Sequence, residues 1–177
     1  MTESIPRRTL LALAGIAGAA LPALARAQRH PASQIRNVEH MSKQVVEISK
    51  DNPIFGESVG AFAKYGYSPA VRAGGLLFSA GVVGAKADGT IAGTVEEQAE
   101  LAFRRTAEIL RLQGLTMADL IDVTSYHVDL PDTLPLVMPV KERYFQKPYP
   151  TWTIIGVAAL ASPLLKLEIR SVAALRN

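Results

Sequence analysis

The chain contains no cysteine, few aromatic residues and a nearly balanced set of charges. Without cysteine it cannot form disulfides, thiolate nucleophiles or cysteine-ligated metal centres. Aromatic residues make up only 6% of the chain, so each aromatic side chain in a candidate pocket carries more information than usual. Charged residues at 20% and apolar residues at 49% are typical of a globular protein rather than a disordered one. The 177 residues correspond to one domain.

Residues 1–27 have the composition of an export signal. Arg7 and Arg8 precede an apolar run that extends to Leu24, and Ala25-Arg26-Ala27 supplies the small residues of a cleavage site. The run is interrupted by glycine and proline and is short for a transmembrane span, which argues against a membrane anchor. An arginine pair with a leucine shortly after it is the twin-arginine variant of such a signal. We therefore expect a periplasmic protein without membrane association after cleavage.

Cleavage before Gln28 changes the charge of the protein. The mature chain would retain 16 basic and 15 acidic residues, so the sequence pI of about 9.3 describes only the precursor. A nearly neutral protein gives no reason to expect a nucleic-acid partner. Residues 28–42 are polar and without periodicity, which predicts a tether, and residues 43–177 form the predicted domain.

Turn residues and periodicity predict the element order β, β-hairpin, α, β, α, β, β. Thr94 and Glu97 stand at capping-box spacing at the start of the clearest helix, and Gly114 is placed to end it. Pro135 and Pro139 predict that the second helix, between residues 132 and 145, is regular only from about residue 136 or kinks at Pro139. A Gly-Gly turn joins the two strands of the hairpin, residues 50–65 are loop-rich, and residues 116–120 form a short turn or helix. The predicted strands cover residues 44–49, 70–73, 76–80, 121–128, 151–157 and 165–174.

These elements predict an α+β layer, one mixed sheet with two helices on one face. Two helices cover only one face of the sheet. The last two strands nevertheless carry apolar side chains at both odd and even positions, which is typical of strands buried on both faces. Self-association into a closed symmetric oligomer would cover the second face. The apolar positions concerned are Ile154, Ile155, Val157, Leu167, Ile169 and Val172.

Several segments in order resemble the RidA/YjgF-like family. Residues 67–81 resemble its early Tyr-Ser…Ala-Val…Gly stretch, 94–114 its first helix, 121–130 its strand ending in Asp-Leu, and 150–157 and 166–173 its last two strands. The resemblance covers about residues 43–175. It implies a chorismate-mutase-like α+β fold, a homotrimer, and three ligand pockets at subunit interfaces. In active members these pockets hydrolyse enamines and imines.

The sequence departs from the family at positions that the resemblance makes important. An arginine that grips the substrate carboxylate is replaced by Trp152, and the water-ordering glutamate of the last strand falls at Arg170. The family's serine before a glycine is Ala80, and a helix asparagine that often faces the ligand falls at Met138. Tyr67 is retained, and Gly81 can still offer its backbone N–H.

Two interpretations of the altered site follow. In the first, Trp152 is a flat wall for an aromatic or cationic ligand, Arg170 supplies the missing cation, and Glu168 acts as the catalytic base. In the second, Trp152 fills the trimer core, and Glu168 and Arg170 are a solvated pair on the strand. The predicted substrate-binding residues are Tyr67, Gly81, Met138, Trp152, Ile154 and Arg170, with Glu168 as the catalytic candidate.

We therefore expect an exported protein that binds small imine- or enamine-like metabolites at trimer interfaces, and hydrolyses them if the altered site retains its chemistry. The alternative is a non-catalytic trimeric binding or chaperone-like protein. Ribonuclease activity, suggested by an old name of the family, is disfavoured by the neutral mature charge and by export. No cofactor and no metal are expected, since histidines and carboxylates lack ligand spacing, and His127 is typical of a packed strand histidine.

Overall fold

The structure, a computed structural model, describes residues 43–176, and the predicted signal and tether lie outside them. The elements are β1 (Gln44–Val46), α1 (Gly60–Tyr65), β2 (Ala70–Ala73), β3 (Leu76–Ser79), β4 (Val82–Val83), α2 (Val95–Arg111), β5 (Leu120–Val128), α3 (Leu130–Glu142), β6 (Thr151–Val157) and β7 (Leu167–Ala174). The strands form one seven-stranded sheet of order β1-β2-β3-β7-β5-β6, and the short β4 pairs with β7. All pairs are antiparallel except β5 with β6, so the sheet is mixed as predicted.

The predicted turns and caps agree with the structure. Gly74 and Gly75 join β2 to β3 with φ values of 60° and 77°, a conformation that glycine adopts without steric cost. Thr94 caps α2 through the Glu97 amide, and the Glu97 carboxylate accepts a hydrogen bond from the Thr94 N–H, which completes the capping box. These local signals therefore define the hairpin and the start of the long helix.

Three predicted boundaries are wrong. The first strand stops at Val46, the last begins at Leu167, and the segment predicted to be loop-rich contains the helix α1, preceded by a 3-10 turn over Gly56–Val59. The fragment Ala61-Phe62-Ala63 is a good helix former, but its flanking glycines hide it from periodicity. Such short elements owe their form to tertiary packing rather than to propensity.

The second long helix, α3, begins earlier than predicted because its prolines share one face. Pro131, Pro135 and Pro139 recur every four residues, and all three are exposed. The carbonyls that lose an amide partner therefore lie on the solvent side, where water can bond them. The Arg143 guanidinium also donates to the Pro139 carbonyl at 3.3 Å. The helix thus tolerates two interior prolines, Pro135 and Pro139.

The helices α2 and α3 pack against one face of the sheet and against each other, as predicted. The core joins Leu77, Ile169 and Leu167 of the strands to Ile109 and Leu110 of α2, all at most 2% exposed. The charged residues Arg105 and Glu108 of α2 are also buried. Hydrogen bonds to Ser58 and Asn52 account for their burial.

The opposite face of the sheet has no helix over it in the described residues. Along β7, Leu167, Ile169 and Ser171 are buried, whereas Glu168 is half-buried and Arg170 is exposed. On the same face Val45 is 48% and Ile155 is 36% exposed. Between residues 43 and 176, no helix combines the length and the apolar character needed to cross a membrane.

Candidate functional site

A cavity of about 430 Å³ lies at one end of the sheet, where α1, the strand β4 and the loop before β7 meet. Three predicted site residues, Tyr67, Gly81 and Glu168, line it together. Apart from Tyr65, the remaining lining residues are small or apolar, so the polar side chains of the cavity are those of Tyr65, Tyr67 and Glu168. The full lining is Ala61, Tyr65, Tyr67, Ala80, Gly81, Val83, Ala161, Leu165 and Glu168.

Tyr67 is positioned by the end of α1. Gly66 has a left-handed backbone with φ of 67°, which ends the helix and turns the chain. The Tyr67 N–H then donates to the Phe62 carbonyl at 3.0 Å, and its ring packs edge-on against the Phe62 ring at 5.2 Å. These contacts hold the phenol at the rim of the cavity, with 41% of the residue exposed.

Glu168 occupies the space that a side chain at Gly81 would need. A Cβ at Gly81 would collide with the Glu168 carboxyl oxygen Oε1 and lie 2.6 Å from the carboxyl carbon. Glycine at this position therefore allows the carboxyl group to lie directly over the backbone that enters β4. The register of β7 with β4 aligns Glu168 with Val83 and fixes this arrangement.

Burial alters the acidity of the cavity groups. It raises the pKa of Glu168, because an ionised carboxylate loses hydration there. Burial also raises the pKa of Tyr67, and the Glu168 charge adds to the effect, whereas the Arg105 charge opposes it. The cavity thus holds a carboxyl group of weakened acidity beside a phenol, an arrangement suited to proton transfer.

The loop that closes the cavity is tied to α2 by Gln98. The Gln98 side-chain amide donates to the carbonyls of Ala92 and Leu164 at 3.0 and 2.9 Å, and its oxygen accepts from the Lys166 N–H at 2.8 Å. Gln98 is only 2% exposed, so all three bonds are shielded from water. This clamp fixes Leu165 and Glu168 relative to the helix layer.

The other predicted site residues lie outside this cavity. Met138 on α3 and Trp152 and Ile154 on β6 belong to elements that pack on each other at the sheet edge. The Trp152 indole donates to the Ser125 hydroxyl at 2.8 Å on the helix-covered side of the sheet. Within a single chain these three residues form an edge group, apart from the cavity group of Tyr67, Gly81 and Glu168.

Arg170 belongs to neither group. It lies on β7 opposite Thr124 and is exposed, and its side chain forms no hydrogen bond or salt bridge with any residue from 43 to 176. Of the two last-strand side chains considered as candidates, Glu168 rather than Arg170 lines the cavity.

Comparison with known proteins identifies the family. The family described as Endoribonuclease L-PSP matches residues 59–175. The chain belongs to this RidA/YjgF/L-PSP family. The RutC family protein YjgH of Escherichia coli K12 is 41% identical over 113 residues, 63% of this chain and 85% of that protein. The chloroplastic Reactive Intermediate Deaminase A of Arabidopsis thaliana is 30% identical over 176 residues, 95% of this chain and 88% of that protein.

Solved structures agree with this RidA-family fold. Protein YjgH superposes with a TM-score of 0.61 at 39% identity, covering 66% of this chain and 88% of that one. Escherichia coli TdcF with bound serine superposes with a TM-score of 0.62 at 26% identity, covering 75% and 99% of the two chains. The prediction of an α+β fold of the RidA type is thereby confirmed.

Two residues at the site of this RidA-family chain were missed by sequence reasoning. Arg105 is 4% exposed and lies over the Phe55 ring at 4.8 Å, and burial lowers its pKa to about 10. Its charge acts on Tyr67, although it does not line the cavity. Gln98 was not singled out either. Polar residues on a helix give no signal of burial when their partners are distant in the chain.

Proposed function

We propose that this protein hydrolyses small 2-imino acids or related enamines in the cavity, with Glu168 as general base. The observation that carries the proposal is the half-buried Glu168 carboxyl, whose pKa is raised by burial, in a cavity that it shares with the Tyr67 phenol. A base of raised pKa takes up a proton near neutral pH more readily than an ordinary carboxylate does. The cavity volume of about 430 Å³ suits a small metabolite.

The chemistry needs only water and the residues of the cavity. The Glu168 carboxylate removes a proton from water while the water oxygen bonds to the imine carbon, and the C=N double bond becomes a single bond. Glu168 then returns the proton to nitrogen. The carbinolamine collapses to a C=O group and ammonia, so hydrolysis consumes one water. The Tyr67 phenol stays protonated, so it can donate a hydrogen bond to the imine nitrogen or to the oxygen of the carbinolamine.

Related proteins support this reaction class. A protein of Dermatophagoides farinae that is 27% identical over 108 residues is named 2-iminobutanoate/2-iminopropanoate deaminase, and the match spans 60% of this chain and 83% of that protein. The Arabidopsis relative is likewise named a reactive intermediate deaminase. These names describe those proteins, and they motivate the choice of imino acids as the first substrates to test.

We also propose that the protein is a homotrimer. The helix-free face of the sheet carries apolar side chains such as Val45 and Ile155, and a closed ring of copies would cover it. Association would also bring the cavity group of one copy to the edge group of another, which unites the predicted site. Light scattering at micromolar concentration should give three times the chain mass, and a folded monomer would contradict the proposal.

Export by the twin-arginine route to the periplasm remains part of the proposal. It rests on Arg7, Arg8 and the apolar run that follows them. Replacing both arginines by lysine should retain the protein in the cytoplasm, as measured by cell fractionation. Continued export would contradict this routing.

The decisive experiment is an assay on 2-iminobutanoate generated in place by an amino-acid-oxidising or dehydrating enzyme. The protein should accelerate 2-oxo acid formation above the rate in buffer, and Glu168→Gln should lower this activity at least about 100-fold. The exposed Glu142→Gln, at the end of α3, is the matched control and should retain full activity. A wild-type rate equal to buffer would exclude imino-acid hydrolysis.

A non-catalytic binding protein is the second candidate. It is favoured by one observation: Trp152, which the family resemblance places at the position of the carboxylate-gripping arginine, carries no charge and does not line the cavity. In that case a thermal-shift screen should find stabilising small carboxylates while the hydrolysis assay stays at the buffer rate. Hydrolysis abolished by Glu168→Gln would exclude this candidate.

A further inference from the structure

The sheet edge opposite the cavity carries a cation surrounded by aromatic rings. The Lys141 ammonium of α3 lies 4.9 Å from the centre of the Trp152 ring, 5.5 Å from that of Phe145 and 5.7 Å from that of Tyr149. Ammonium groups within about 6 Å of a ring centre are attracted to the ring face. Three rings therefore hold one ammonium in a defined place, and we call Lys141, Phe145, Tyr149 and Trp152 the aromatic platform.

The cation of the aromatic platform has no anionic partner. Within residues 43–176, Lys141 forms no salt bridge, whereas Lys50 and Lys166 each pair with an acid. Aromatic rings attract an ammonium but do not cancel its charge, and they accept no conventional hydrogen bond from it. The three ammonium donors thus remain available to an anion. Tyr149 is 60% exposed, so the platform is open to solvent on that side.

A buried chain of hydrogen bonds fixes the indole of the platform. The Trp152 Nε1–H donates to the Ser125 Oγ at 2.8 Å, and that Oγ lies 2.9 Å from the His127 Nε2. The His127 Nδ1 lies 3.2 Å from the Thr133 Oγ1, and Ser125, His127 and Thr133 are all at most 3% exposed. The indole is therefore preorganised, which reduces the entropy lost when a ligand binds.

We propose that the aromatic platform binds the carboxylate end of a planar, conjugated acid. The Lys141 ammonium pairs with the carboxylate, and the conjugated atoms lie against the Trp152 and Tyr149 rings. A 2-imino acid has this form, because its C=N bond is conjugated with the carboxylate. The inference deepens the proposed function and rests on it for the choice of substrate. Platform and cavity are separate in one chain, so their joint action on one substrate requires the proposed homotrimer.

The test uses a direct optical signal of the platform. Trp152 is the only tryptophan of the chain, so its fluorescence reports on this location. Titration with benzoate should give a saturable change, and the neutral isostere benzamide should bind at least about 10-fold more weakly. Lys141→Gln should weaken benzoate binding at least about 10-fold, and Lys141→Arg should restore most of it. Lys147→Gln, with the same charge change six residues away, should bind benzoate like the wild type.

Three results would overturn the inference. They are equal binding of benzoate and benzamide, unchanged benzoate affinity in Lys141→Gln, and the absence of any saturable signal. If Lys141→Gln does not fold, the salt dependence of the wild-type protein decides. Benzoate affinity should fall as ionic strength rises, while a salt-independent affinity would exclude a charge-pairing site.

The same variants separate this inference from the proposed function. Glu168→Gln should lose hydrolysis and keep benzoate binding, because the cavity and the platform use different residues. Benzoate binding through Lys141 in a wild-type protein without hydrolysis would support the platform and exclude the enzyme. Active protein in which Lys141→Gln leaves the KM for the imino acid unchanged would support the enzyme and exclude the platform as its carboxylate anchor.

Discussion

The cavity and the aromatic platform hold opposite charges at opposite edges of the same sheet. Glu168 lies against a glycine in a half-buried cavity, and burial raises its pKa. Lys141 lies over three rings at an open edge. Neither group is paired with an opposite charge within residues 43–176. The two regions therefore offer a buried carboxyl group and an accessible ammonium group at separate places on one sheet.

The two regions also differ in what holds them. The cavity depends on a glycine and on a loop tied to α2 by Gln98. The platform depends on aromatic packing and on hydrogen bonds beneath α3. Substitutions at the cavity should therefore affect catalysis and the anchoring of its loop, whereas substitutions beneath the platform should affect Trp152 fluorescence most.

The largest expected effect comes from a methyl group at Gly81. In Gly81→Ala the new Cβ displaces the flexible end of Glu168, so the backbone can stay in place while the carboxyl moves. Misplacement of a catalytic group by about 1 Å can cost about 100-fold in rate. We expect kcat/KM for the imino acid to fall about 100-fold with little change in melting temperature.

The matched control for this change lies near the platform. At Gly156 on β6 a Cβ would meet Leu130 at an ordinary 3.4 Å. Gly156→Ala should therefore retain activity and fold. Equal activity of Gly81→Ala and the wild type would show that the Glu168 position is irrelevant to the reaction.

Removing the Gln98 clamp should be the largest change in stability. Gln98→Leu leaves the carbonyls of Ala92 and Leu164 and the Lys166 N–H without their partner. Loss of a partner by a buried polar group costs about 1–3 kcal/mol. Urea unfolding should show a loss in this range, whereas Gln113→Leu, near the surface, should stay within about 0.5 kcal/mol of the wild type.

Ser125→Ala tests the hydrogen bonds beneath the platform. The change removes the acceptor of the Trp152 indole and one partner of His127. We expect a loss of about 1–2 kcal/mol in the free energy of unfolding, a shifted Trp152 emission maximum and weaker benzoate binding. An unchanged emission spectrum would show that Ser125 does not orient the ring.

The smallest effect concerns pH and stability. The folded-state pKa of Glu168 lies above that of an unfolded glutamate, about 4.3, so the buried carboxyl favours folding while it is protonated. This contribution is fully present below pH 4 and is lost as pH rises through the folded-state pKa. Glu168→Gln should therefore melt higher than the wild type at pH 8, and the difference should shrink at pH 4. A difference independent of pH would contradict the assigned shift.

Sequence reasoning predicted the layer architecture well and the site only in part. The capping box at Thr94 and the Gly74-Gly75 turn depend only on residues close in the chain, so the sequence predicted both of them. The early start of α3 was missed because its prolines are tolerated only when their face meets solvent. The burial of Arg105 and Gln98 depends on partners many residues away, which no local pattern reveals.

The amino-acid sequence alone determined the order of the two long helices and of the longer strands, the absence of cysteine chemistry and the likeness to the RidA family. These properties follow from local propensity, periodicity and short ordered motifs. Only the tertiary structure decided that Tyr67, Gly81 and Glu168 share a cavity while Trp152 joins Lys141 at the opposite edge. Which side chains meet depends on strand register and helix packing, and these bring together residues about 100 positions apart in the chain.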